Sequence, residues 1–121
     1  MMTLRDAAWA VGATDVADDR VISRVSTDSR SITQGELFVA LRGESFDGHA
    51  FLADVARAGA IGAIVDRASM REGFHAPAGF TVIVVDDTLQ ALGRLAAWWR
   101  QRFDGVLVAL TGSSGKTTVK E

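Results

Sequence analysis

Five apolar runs of strand length recur along this chain, at residues 21–26, 36–41, 60–65, 80–85 and 106–110. Segments with helical spacing lie before and between them, at residues 4–11, 50–58 and 88–103. Strands interleaved with amphipathic helices argue for α/β layering rather than a helical bundle or an all-β sandwich. A chain of 121 residues buries enough surface to fold without cross-links. None are available in any case: cysteine is absent, which removes disulfides, thiolate metal sites and cysteine nucleophiles together.

Each helix carries its own punctuation. Thr3 is a cap before residues 4–11, and Gly12 supplies the left-handed stop. Leu52, Val55 and Ala56 should face inward from the second helix, with Gly59 at its end. Asp86, Asp87 and Thr88 place caps and negative charge at the start of the third. Along it, Leu89, Leu92, Ala96, Trp99 and Phe103 fall at helical spacing and predict the inward stripe, while Leu95 and Trp98 widen it to a second face. Trp98 and Trp99 read as packing residues. The pattern dissolves over residues 67–79, where the single proline, Pro77, sits.

Charge excludes several functions. Thirteen Lys and Arg against fifteen Asp and Glu leave a net charge of −2, with no basic cluster to grip nucleic acid or a membrane surface. The two histidines, His49 and His75, are too few and too far apart for a metal cluster. No apolar run approaches the roughly 20 residues that span a bilayer, and the N-terminus lacks a secretory pattern. The expectation is a soluble, monomeric, cytoplasmic protein.

Three segments carry chemistry. The sharpest is residues 111–118, Thr-Gly-Ser-Ser-Gly-Lys-Thr-Thr, directly after a strand. A glycine-rich turn there points backbone N–H groups into one concavity that suits phosphate oxygens. Lysine adds a point charge and the next hydroxyl can ligate Mg²⁺, roles that fall to Lys116 and Thr117. The general pattern requires glycine where Leu110 stands, so this is a shorter variant of the phosphate loop. Glu121 follows five residues after Lys116, and no later strand is present to supply a second metal ligand, so the expectation is the front of a longer enzyme.

The second segment is residues 26–30, Ser-Thr-Asp-Ser-Arg, at a strand end. Its hydroxyls can bind a polar ligand such as a nucleoside; equally, Asp28 and Arg30 can form an Asx turn and a surface ion pair. The third is residues 42–49, where Asp47, Gly48 and His49 lead into a helix. That start either receives a diphosphate or is only a cap. His49 reads as a local capping residue, not a catalytic one.

Taken together, these segments resemble the Mur ligases of bacterial peptidoglycan synthesis. The resemblance rests on residues 25–30 (VSTDSR), residues 35–43 (GELFVALRG) followed by residues 46–49 (FDGH), and the short loop at residues 111–118. Residues 85–88 (VDDT), residues 91–93 (ALG) and residues 115–121 (GKTTVKE) are most similar to the member that adds D-alanyl-D-alanine to UDP-N-acetylmuramoyl-tripeptide.

The resemblance implies an ATP- and Mg²⁺-dependent amide ligase. ATP phosphorylates the terminal carboxylate of the UDP-muramoyl-tripeptide, and the amine of D-alanyl-D-alanine displaces phosphate from the acyl phosphate. By the same likeness, Thr27, Ser29, Glu44, Ser45 and Phe46 fall at UDP-sugar-binding positions. Gly112, Ser113, Ser114, Gly115, Lys116, Thr117 and Thr118 fall in the ATP loop, with Lys116 catalytic and Thr117 toward Mg²⁺. Asp28 and Arg30 are assigned mainly to holding the turn. Relatives often carry asparagine where Ser114 stands.

The implied organisation is α/β throughout. It comprises a small mixed-sheet UDP-muramoyl-peptide-binding domain at residues 1–85, a connector helix at 86–104, and the first strand and phosphate loop of an ATP-binding domain at 105–121. By itself such a chain should bind the UDP-sugar without turnover. The alternatives are the Mur ligase that adds the third peptide residue, a folylpolyglutamate synthase relative, and a small stand-alone nucleotide-binding protein. Folylpolyglutamate synthases ordinarily lack the Asp-Ser-Arg domain.

Overall fold

Thr3 opens the first helix, α1 (Leu4–Ala10), with a reciprocal cap. Its hydroxyl accepts from the Asp6 N–H at 3.1 Å, and the Asp6 carboxylate accepts from the Thr3 N–H at 3.0 Å. The helix ends before Gly12, at φ +87°. These coordinates come from a computed structural model, which describes residues 2–13, 16, 18–41, 47–68, 77–102 and 108–109.

The strands are β1 (Val25–Ser26), β2 (Leu37–Val39), β3 (Gly62–Asp66), β4 (Thr81–Val85) and β5 (Val108–Ala109). They form one sheet in the order β4-β3-β2-β1-β5. Val25 stands opposite both Leu37 and Val108, Leu37 opposite Gly62, and Gly62 opposite Thr81. All four strand pairings are parallel, which corrects the expected mixed sheet. Among the described residues the antiparallel contact is an isolated bridge from Thr3 to Val21.

Connection length explains the difference. Residues 27–36, 40–61 and 67–80 separate successive strands, and none of these links is a tight hairpin. Links of ten residues or more bring the chain back to the starting edge and favour parallel neighbours. The expected strand at 21–26 is also shortened. Its first half leaves the sheet, with the Ile22 N–H donating to the Met2 carbonyl at 2.8 Å.

Alternation along the strands divides the core into two layers. Val25, Leu37, Val39, Ile64, Ile83 and Val85 face α1 and α3 (Thr88–Arg102), meeting Leu4, Ala7, Ala91 and Leu95. Phe38, Ala40, Ala63 and Val65 face the other way, onto Leu52 and Val55 of α2 (Leu52–Arg57). A parallel sheet covered by helices on both faces results, and every residue of β2 and β3 is buried.

Two helix expectations change in detail. The second helix begins as a 3₁₀ turn, Gly48–Phe51, before α2 proper. On α3 the inward positions are Thr88, Ala91 and Leu95, while Leu89 is 67% exposed. The stripe therefore runs one step out of phase with the expected one, with Thr88, Ala91 and Leu95 buried in place of Leu89. Leu92, Trp98 and Trp99 pack at its margin, and Phe103 lies outside the described residues.

Candidate functional site

Parallel α/β sheets gather loops at the carboxyl ends of their strands, where ligands commonly bind. The Ser26–Arg30 segment occupies that position at the end of β1. Ser26 is buried, and its Oγ accepts from the Asp28 N–H at 3.1 Å. The Asp28 carboxylate caps a 3₁₀ turn, Ser29–Ser31, accepting from the Arg30 N–H at 2.9 Å and the Arg30 Nε at 3.2 Å. That backbone N–H, followed by the guanidinium, holds the Asp28 carboxyl below the usual carboxylate range against the opposing effect of burial. Ser31 Oγ donates to the Asp28 carbonyl at 3.4 Å.

This arrangement separates two roles that the sequence left mixed. Ser26, Asp28, Arg30 and Ser31 spend their polar groups on the turn. Thr27 and Ser29 are half-buried, and their hydroxyls meet no hydrogen-bond partner among the described residues. The Asx turn and ion pair are therefore real, and they leave the hydroxyls of Thr27 and Ser29 unclaimed by any described residue at the strand end.

The next strand end leads into residues 42–46. Glu44, Ser45 and Phe46 lie outside the described residues, as do Gly112, Ser113, Ser114, Gly115, Lys116, Thr117 and Thr118 of the expected ATP loop. On either side of residues 42–46 the chain is held together: the Gly48 N–H donates to the Leu41 carbonyl at 2.7 Å. Asp47 caps the 3₁₀ turn that follows, accepting from the His49 N–H at 3.0 Å.

His49 does more than cap. Its side chain is only 7% exposed, with Nδ1 2.7 Å from Asp47 Oδ1 and Nε2 3.0 Å from the Asp66 backbone nitrogen at the end of β3. The sequence pointed to the local partner. The distant one, 17 positions away, had no sequence signal, because only the parallel β2–β3 pairing brings it close.

β5 lies beside β1 in the same sheet. At the end of β4 a cleft of about 220 Å³ opens between α1 and α3. Arg67, Asp86, Gln90 and Arg94 line it, and Arg67 Nε pairs with Asp86 Oδ1 at 3.2 Å. None of the predicted site residues belongs to it. Among the described residues no cluster of His, Asp and Glu suits a metal ion, and no helix is long and apolar enough to cross a membrane.

The profile of the Mur ligase family, catalytic domain, matches residues 21–100. The chain belongs to the Mur ligase family. It is similar to the UDP-N-acetylmuramoyl-tripeptide–D-alanyl-D-alanine ligase of Synechocystis sp., 47% identical over 113 residues, covering 92% of this chain and 24% of that one. The ligase of the same name from Escherichia coli is 50% identical over 103 residues, covering 85% and 21%. A crystal structure of MurF from Acinetobacter baumannii superposes with a TM-score of 0.66 at 36% identity, covering 83% of this chain and 21% of that one. The chain thus spans about a quarter of the length of the Mur ligases it matches, and its α/β fold corresponds to part of theirs.

Proposed function

We propose that this chain forms the UDP-sugar-binding part of an ATP-dependent amide ligase of the cytoplasm. That ligase joins D-alanyl-D-alanine to UDP-N-acetylmuramoyl-tripeptide in peptidoglycan precursor synthesis. The observation that carries the reading is the pair of half-buried hydroxyls of Thr27 and Ser29 at the carboxyl end of β1, which no described residue engages. Hydroxyls held by a rigid turn are compact donors and acceptors for a uridine or diphosphate group, and they bind with little ordering cost. The names of the similar ligases support the same substrates.

Glu44, Ser45 and Phe46 join the UDP-sugar site in this proposal. Residues 112–118 contribute the ATP side, with Lys116 against the transferring phosphoryl group and the Thr117 hydroxyl toward Mg²⁺. An acyl phosphate supplies the leaving group that amide formation in water lacks. The chain alone binds and does not turn over.

Calorimetric titration with UDP-N-acetylmuramoyl-tripeptide, and separately with Mg·ATP, tests the reading. Saturable UDP-sugar binding without ATP binding is expected, weakened about three- to tenfold by Ser29→Ala through loss of one hydrogen bond. Binding of Mg·ATP without the UDP-sugar would overturn it.

A further inference from the structure

His49 joins parts of the chain that the turn at Ser29 depends on. The Asp66 N–H donates to Nε2 at 3.0 Å, so Nε2 carries the lone pair. In the neutral ring the proton then sits on Nδ1 and is donated to Asp47 Oδ1 at 2.7 Å. Asp66 Oδ2 stands 3.6 Å from Nε2, beyond hydrogen-bond reach. One buried imidazole therefore ties the start of the Gly48–Phe51 turn to the carboxyl end of β3.

The preceding residue seats the same turn on the end of β2. A Cβ at Gly48 would stand 3.1 Å from both Ala40 Cα and the Leu41 nitrogen, so the backbone lies flat against that strand end. From there the turn runs directly into α2, which packs against the Ser29–Ser31 turn. Ile32, just beyond that turn, shares an apolar cluster with Leu52 and Val55 of α2. A continuous packed path thus leads from His49 through α2 to Ser29.

We propose that His49, as its Nδ1–H tautomer, is a positioning residue for the nucleotide-sugar rim: it fixes the seat of α2 and thereby the placement of Thr27 and Ser29, without touching ligand. The inference rests on the UDP-sugar reading of that rim. Losing the imidazole would leave the Asp66 N–H without its acceptor and let the start of α2 shift against β2 and β3. A small shift at a rim contact lowers affinity even where the fold survives.

Three variants separate positioning from mere stability. In His49→Gln the side-chain oxygen reaches the place of Nε2 and accepts from Asp66. In His49→Asn the amide reaches only the place of Nδ1, and His49→Ala reaches neither. Each is titrated with UDP-N-acetylmuramoyl-tripeptide well below its melting temperature, with the imidazole ¹⁵N spectrum of the unmodified chain recorded alongside. The expected result is an affinity loss on the order of tenfold in His49→Ala and His49→Asn, largely restored in His49→Gln, with Nδ1 protonated. Equal affinity in all folded variants, whatever their melting temperatures, overturns the proposal, as does an Nε2–H tautomer. If His49→Ala does not fold, the Gln and Asn variants decide. An unmodified chain that binds no UDP-sugar defeats the docking reading itself and this inference with it. Binding that Ser29→Ala weakens and the His49 variants do not defeats this inference alone.

Discussion

Asp28 and Ser29 sit side by side, yet the structure gives them opposite work. Asp28 is engaged by the Arg30 backbone and side chain, whereas the Ser29 hydroxyl in the same turn has no hydrogen-bond partner among the described residues. Asp28→Ala should therefore destabilise the chain by about 1 kcal/mol, the usual cost of a lost capping carboxylate. Urea denaturation would read this as a fall in midpoint without a change in slope. Unchanged stability would mean that the turn is held by packing alone. The segment was half legible in the sequence: residue types named the two roles, and only hydrogen-bond geometry could divide them. His49 shows the same limit. Its partner Asp47 is two positions away and belongs to a local pattern, but the Asp66 amide becomes a neighbour only after β2 and β3 have paired. Glu36, buried with Oε2 accepting from Thr33 at 2.7 Å and Arg24 at 3.0 Å, likewise owes its tolerance of burial to partners that spacing does not reveal.

At the scale of elements, the helices and strands were legible and their phases less so. Helical periodicity located α3, but its apolar positions cover two adjacent stripes, and periodicity alone does not say which one docks. The sheet selects Ala91 and Leu95 and leaves Leu89 in solvent. Leu95→Ala should cost about 2–5 kcal/mol, since a fully buried leucine leaves both lost transfer energy and a cavity. Leu89→Ala should stay within about 0.5 kcal/mol. Thermal or urea melts of the two variants compare the stripes directly, and equal costs would return the helix to the phase expected from its sequence. Strand direction was not legible either. Short runs such as residues 37–41 have the same appearance in parallel and antiparallel sheets, and the deciding information lies in the length and path of the links between them.

For the whole molecule, three layers must be kept in register, and an ionic knot at one end of the sheet contributes to this. Arg20 and Asp18 pair at 2.7 Å, and Thr81 Oγ1 at the start of β4 donates to Asp18 Oδ2 at 2.9 Å. The Asp18 and Arg20 carbonyls in turn accept from the Arg5 and Leu4 N–H groups, so the same loop holds α1 to the strand. The Arg20 side chain, then its backbone N–H, keep the Asp18 carboxyl well below the usual carboxylate range against the opposing effect of burial, and the Thr81 hydroxyl adds a lesser lowering. Asp28 shifts in the same direction. With both pKa values lower in the folded chain, the unfolded chain binds more protons in acid, so stability rises with pH across that interval. The contribution is complete above the unfolded carboxylate value of about 3.9 and is lost as pH falls through the lower folded values. Asp18→Asn should then reduce stability at pH 7 and flatten the acid limb. Urea midpoints measured from about pH 7 down to about pH 2 would show the unmodified curve falling toward that of the variant below about pH 4. Curves that stay parallel to the lowest pH would show that Asp18 is not what couples this fold to acid.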